Sequence, residues 1–232
     1  MSLNIKLGWR RIIKWSLWAI IGVLLLIFLI RVISYENYYY NSMEGSERDI
    51  AGDIGAISTD EELIEEKPEE SEVREYTVAA DRPRYLTIER LGIRNARVLA
   101  MGVNKKGELD TPRNIFDVGW YEKSGKPGQG GTLVIDGHNG GPHVHGVFKD
   151  LPVLSNGDTI QVERGDGAVY KYSVVENKSI PLAEADSYMS IAFKSPVKGE
   201  ESITLISCTG EWSQKRGTYL SRQFTRAILV EV

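Results

Sequence analysis

One cysteine, Cys208, stands in a chain of 232 residues. A disulfide framework is thereby excluded, as is any metal site built on paired thiolates. Histidine is nearly as scarce: His138, His143 and His145 are the only three, spaced H-x4-H-x-H. No acidic or thiol ligand sits at an obvious spacing from them, and the glycines between them read as a surface turn, so neither metal nor cofactor is expected. A basic excess is lacking too. The formal net charge is −4, and the part of the chain with folding texture is nearly neutral, which argues against a nucleic-acid partner.

The charge that is present is segregated: residues 1–40 carry a net +4, residues 41–80 a net −10 and residues 81–232 a net +2. Trp15 to Ile30 holds no charged residue. Extended to Ile33 past a snorkelling Arg31, it approaches the ~20 residues a bilayer needs. Trp9, Trp15 and Trp18 mark one end and Tyr35, Tyr38, Tyr39 and Tyr40 the other, as interfacial aromatics do. The run is longer than a signal-peptide core, and bulky residues follow where a cleavage site needs small ones. The expectation is an uncleaved signal anchor at 15–33. By the positive-inside rule, residues 1–14 are cytoplasmic and everything after the anchor is outside the cell. The Glu-rich stretch 34–80 reads as a solvated linker.

From residue 81 the texture changes to short strands separated by Gly, Asn, Asp and Pro. Tyr85–Ile88, Ala96–Leu99, Thr132–Ile135, Asp158–Glu163, Val169–Val175, Thr204–Cys208 and, after a loop of Trp212, Lys215, Arg216 and Gly217, a closing strand through Ala227 to Val232 are expected. Asn104–Gly107, Lys126–Gly128 and Gly165–Gly167 read as turns, and Thr209-Gly210 as the turn that ends the cysteine strand. Residues 176–200 break the rhythm, with one short helix between Leu182 and Phe193. Many short strands and little helix predict a mostly β fold of closed or nearly closed barrel type, in one domain over 81–232.

A lone cysteine is more often core filler than nucleophile. Its company decides otherwise here. Thr204-Leu205-Ile206-Ser207 delivers Cys208, the strand 132–135 runs into Asp136-Gly137-His138, and Arg222 follows in the next segment. Thiol acyl transfer needs a nucleophile, an acid for the departing amine and a donor for the oxyanion. Cys208, His138 and Arg222 supply these roles. Arg226 shares the face of Arg222 and competes for its part. Asp136 either orients the His138 ring or bonds a turn.

These residues resemble the sortase family of cysteine transpeptidases. The family's T-L-x-T-C strand is matched by Thr204-Leu205-Ile206-Ser207-Cys208, with Ser207 in place of threonine. Gly137-His138 matches its G-H, and Arg222 its downstream arginine. Gly119-Trp120-Tyr121, Pro127-Gly128 and Gly157-Asp158 are similar to blocks of class E and class F sortases. The resemblance implies an eight-stranded β-barrel and a two-step reaction. A thiolate cleaves an LPxTG-like sorting motif between Thr and Gly, and the thioacyl enzyme passes its acyl group to an amine of peptidoglycan or a pilin. It also implies surface proteins with a C-terminal sorting motif as substrates. The 176–200 segment is expected to wall the peptide groove through Ile180, Leu182, Ile191 and Phe193, with Thr204, Ile206 and Ser207 of the cysteine strand. Two rivals stand beside this reading: an L,D-transpeptidase-like enzyme, and a sortase-like barrel kept as a non-catalytic surface binding module. The first is disfavoured because His138 lies seventy residues before Cys208, the second because a binder needs none of the three reactive groups.

Overall fold

The computed structural model describes Arg31 and residues 63–104 and 109–232. The expected anchor at 15–33, Arg31 excepted, the linker up to residue 62 and most of the expected Asn104–Gly107 turn lie outside the described residues. Among the described residues no helix is long and apolar enough to cross a membrane.

Eight strands make a closed barrel: β1 (Pro83–Ile88), β2 (Ile93–Met101), β3 (Val118–Tyr121), β4 (Thr132–Gly137), β5 (Thr159–Arg164), β6 (Val169–Pro181), β7 (Ser202–Ser213) and β8 (Thr218–Glu231). Around the barrel they run β1-β2-β3-β4-β7-β8-β6-β5. Among the described residues from 63 onward, two α-helices accompany them, α1 (Glu70–Glu75) and α2 (Leu182–Ala192). The pairs β2–β3 and β4–β7 are parallel and the others antiparallel.

Alternation along each strand sorts the side chains. Leu133 and Ile135 of β4, Ile203 and Leu205 of β7, and Tyr170, Tyr172 and Val174 of β6 face one core with Leu86, Val98 and Trp120. The intervening Val134, Ile206 and Phe224 face outward, where Ala192 of α2 covers them. β4 and β7 are therefore buried on both faces, which is why they read as unbroken apolar runs rather than alternating ones.

Helix α2 is bound to this outer face at its C-terminal end. The Arg226 guanidinium donates to the carbonyls of Ile191 (3.2 Å) and Lys194 (2.7 Å), and Thr204 Oγ1 donates to that of Ala192 (2.8 Å). These satisfy carbonyls that a helix end leaves without an internal partner.

Three boundaries differ from the sequence expectation. β6 does not stop at Val175: it passes a bulge between Val174 and Glu176 and pairs with β8 as far as Pro181. β7 does not stop at Thr209-Gly210: a bulge there lets it continue to Trp212 and Ser213, paired with Tyr219 and Thr218. Gly210 takes φ 83°, so the glycine read as a turn serves a bulge. Last, residues 63–80 are docked onto the barrel. Tyr76 Oη donates to Val98 O (2.6 Å) and Arg84 Nε to Tyr76 O (2.7 Å).

Candidate active site

The register of three neighbouring strands sets the site. β4 and β7 run parallel as far as Asp136 opposite Ile206. Two side-chain bonds carry the match further: Ser207 Oγ donates to Gly137 O (2.9 Å) and Asn139 Nδ2 to Cys208 O (2.7 Å). His138 therefore arrives at the level of Cys208. On the other side Cys208 lies directly opposite Arg222 in the β7–β8 ladder, and Arg222 lies opposite Ile180 in β6. Adjacent strands are about 4.8 Å apart, so imidazole, thiol and guanidinium stand in one row on the outer face.

The backbone before His138 is built for close packing. A Cβ on Gly137 would come within 2.6 Å of the Phe148 ring. Glycine thus lets the chain pass under Phe148, which is fully buried.

His138 is 6% exposed. Its Nε2 lies 2.8 Å from Pro112 O; a carbonyl only accepts, so Nε2 carries the proton and Nδ1 is the nitrogen left to exchange one. Burial pulls the imidazole pKa below its ordinary value, and the Pro112 bond opposes that pull. Burial pushes the Cys208 thiol up; Arg222 acts to lower it and Asp136 to raise it further. Both directions favour the uncharged forms, thiol and imidazole.

The two arginines separate cleanly. The Arg222 guanidinium donates to Tyr219 O (3.0 Å), Ser221 O (3.2 Å) and Thr218 Oγ1 (3.2 Å). Those oxygens are neutral, and they aim the group along β8 beside the thiol. Arg226 is 5% exposed and is consumed by its ion pair with Glu176 and by the α2 carbonyls. Geometry gives it a scaffold part. Asp136 does not hold the His138 ring. Its Oδ2 accepts from Thr111 Oγ1 at 2.8 Å, and burial raises its pKa to about 7, with Asp110 adding to the rise.

The residues expected to meet a peptide fall into two groups. Ile206 lies on the outer face with Phe224 and Val134, and Ile180 packs against them. Ile191 and Phe193 are exposed at the end of α2, where the Phe193 ring meets Tyr121 edge-on with centroids 5.6 Å apart. Leu182, at the start of α2, is half-buried. Thr204 and Ser207 are different. Thr204 is fully buried beneath α2, and Ser207 is 4% exposed and spent on the Gly137 carbonyl. Neither presents a side chain to the open surface. Alternation required this of Ser207, since its neighbour Cys208 faces out.

Sequence reasoning missed Pro112, whose contribution is a backbone carbonyl and leaves no side-chain signature. It also gave no role to Asn139, which ties the residue after His138 to the nucleophile. The histidines are not gathered as ligands. His145 Nε2 lies 2.6 Å from Lys149 Nζ, and among the described residues no group of three His, Cys, Asp or Glu side chains is placed to hold a metal ion.

Comparison with known proteins places the chain beside sortases. The sortase domain family model matches residues 86–230. No curated protein gives a significant match. Among solved structures, sortase C1 of Streptococcus agalactiae in its complex with MTSET is 20% identical with a TM-score of 0.50, over 68% of this chain and 72% of that one. Sortase C of Streptococcus pneumoniae is 17% identical with a TM-score of 0.49, over 77% and 79%. Sortase A from Corynebacterium diphtheriae is 21% identical with a TM-score of 0.46, over 66% and 64%. At such identities the likeness is one of fold. The family model spans well over half of the chain, and with the eight-stranded barrel around it the chain belongs to the sortase family of cysteine transpeptidases.

Proposed function

We propose that this chain is a membrane-anchored transpeptidase that cleaves an LPxTG-like sorting motif between Thr and Gly and joins the new carboxyl end to an amine of the cell wall or a pilin. The observation that carries the reading is the row His138–Cys208–Arg222 on β4, β7 and β8. Its anchor is the apolar stretch 15–33, and its catalytic domain lies outside the cell.

The chemistry follows from the protonation states. His138 Nδ1 takes the Cys208 proton as sulfur attacks the Thr carbonyl, and Arg222 donates to the oxygen that gains charge. The C–N bond breaks, Nδ1 returns its proton to the departing glycine amine, and a thioester remains. In the second half an acceptor amine attacks the thioester and gives its proton to Nδ1. The thiolate leaves and is reprotonated, so one amide is exchanged for another with no net change in protons. Apolar motif residues lie against half-buried Ile180, with Leu182 at the start of α2 and Ile191 and Phe193 at its end forming the wall.

A peptide library incubated with enzyme, with and without an added amine, tests this. The expected products are cleavage at Thr–Gly and a mass increase that appears only with amine. Cleavage unrelated to such a motif, or none at any Thr–Gly bond, overturns the reading.

The thiol environment gives a second test. The rate of Cys208 alkylation by iodoacetamide is expected to climb with pH to a midpoint above the ordinary thiol value of 9.0. Because Arg222 lowers the thiol pKa, Arg222→Ala moves that midpoint up and slows alkylation at pH 8. Asp136 raises it, so Asp136→Asn moves the midpoint down and speeds alkylation. A parent midpoint near neutrality would contradict the burial described here.

A further inference from the structure

The end of the acidic stretch makes a crosspiece beside the site. Ile64 forms a parallel bridge with Asn114: its N–H donates to Arg113 O (3.0 Å), and Ile115 N–H donates to Ile64 O (3.1 Å). Asn114 Nδ2 adds a bond to Glu66 O (3.0 Å). Between these, Glu65 Oε1 accepts from the backbone N–H groups of His143 (2.8 Å) and Val144 (3.2 Å). Gly141 packs so closely beneath the carboxylate that a Cβ there would stand 2.1 Å from Oε1.

The two segments that the crosspiece grips are the two that hold His138. Pro112, whose carbonyl accepts the Nε2–H hydrogen bond, immediately precedes Arg113. The turn capped by Glu65 starts at Asn139 and folds back on itself, with Gly146 N–H donating to Asn139 O (2.7 Å) and Phe148 N–H to His138 O (2.9 Å). Val147 N–H donates to Ile115 O (2.9 Å), which ties the two segments together. Gly140, Gly141 and Gly146 give this turn many alternatives to the conformation observed. A carboxylate accepting two N–H groups at its tip selects one of them through charge-assisted bonds.

We propose that Ile64–Glu66 is a clamp that positions His138 against Cys208, with Glu65 as its positioning residue. The segment before the barrel is then part of the catalytic apparatus and not merely a spacer. The proposal rests on the assignment of His138 and Cys208 above. A displacement of about 1 Å in a reacting group costs up to two orders of magnitude in rate.

The test uses the full chain carrying Glu65→Ala, Glu65→Gln, Lys67→Ala or His138→Ala, with kcat, KM and Tm measured on a cleavable sorting-motif peptide. Glu65→Ala is expected to lower kcat about tenfold or more, with KM within about twofold, because it moves a proton-transfer group and not the peptide-binding face. Glu65→Gln keeps an oxygen that accepts both N–H groups and recovers most of the rate. Exposed Lys67 lies just past the clamp, so Lys67→Ala matches the parent. Parent-like kcat in Glu65→Ala beside a severe His138→Ala overturns the clamp alone. A silent His138→Ala overturns the catalytic assignment itself. Activity lost equally in the Ala and Gln variants, in proportion to a fall in Tm, assigns the contact to stability and also overturns the clamp.

Discussion

Cys208→Ala is expected to leave no detectable transpeptidation or thioacyl adduct, while binding of the sorting-motif peptide persists. The substitution removes the only thiol in the chain and takes away the atom that forms the covalent intermediate. Ile180, Leu182, Ile191 and Phe193 are untouched, so the proposed peptide-binding surface stays as it was. His138→Ala tests the partner group. Loss of a positioned acid–base residue costs about 10²- to 10⁴-fold, and Nδ1 is the ring nitrogen open to the reaction once Nε2 is given to Pro112. Intact-mass spectrometry of the enzyme with peptide, followed by addition of amine, separates the half-reactions. Transpeptidation that persists in Cys208→Ala, or full turnover in His138→Ala, would remove the mechanism.

The second large effect divides two arginines that the sequence could not rank. Arg222→Ala should lower kcat by roughly 10²- to 10³-fold, the effect of losing one oxyanion donor at ~3 kcal/mol. Tm should move little, since the partners released are Tyr219 O, Ser221 O and Thr218 Oγ1 near the β7–β8 turn. Arg226→Ala should do the reverse. It breaks the ion pair with Glu176 and removes the donor to the carbonyls of Ile191 and Lys194, a loss of about 3 kcal/mol, held at the low end because Lys178 and Tyr188 still bond Glu176 and Lys194 N–H still donates to Ile191 O. For a domain of this size that corresponds to a fall in Tm of roughly 6–12 °C. Rate loss in Arg226→Ala with an unchanged melting curve, beside a mild Arg222→Ala, would exchange their assignments.

These contrasts show what the sequence makes legible. Strands β4 and β7 are visible because both of their faces are buried, which leaves Thr132–Ile135 and Thr204–Ile206 without strong polar punctuation. Period-two alternation then brings His138, Cys208 and Arg222 onto one face. The second half of β6 is hidden because Glu176, Asn177 and Lys178 look like loop residues. Tertiary partners make them strand: Asn177 Nδ2 donates to Leu151 O (3.1 Å) and Leu154 O (2.7 Å), and its Oδ1 accepts from Thr225 Oγ1 (2.7 Å). None of those partners is local. The docked residues 63–80 are concealed by their own charge, although Val73 and Tyr76 carry the apolar and aromatic signal that the surrounding glutamates outweigh. Glu65 is one of many glutamates in that stretch, and only its meeting with two amides about eighty positions later distinguishes it.

Closure of the barrel from β5 back to β1 has a consequence for how a substrate is read. An open sheet can recruit an extended peptide as one more strand, holding it through main-chain hydrogen bonds that are indifferent to sequence. Here every strand has two neighbours in the ring, and only overhangs such as residues 176–181 of β6, beyond the end of β5, are paired on one side alone. In the proposed reading, a peptide laid across the outer face is held by what its side chains find among Ile180, Leu182, Ile191 and Phe193. Recognition of that kind is a short code, in which a few residues decide admission and the remainder of the polypeptide goes unread.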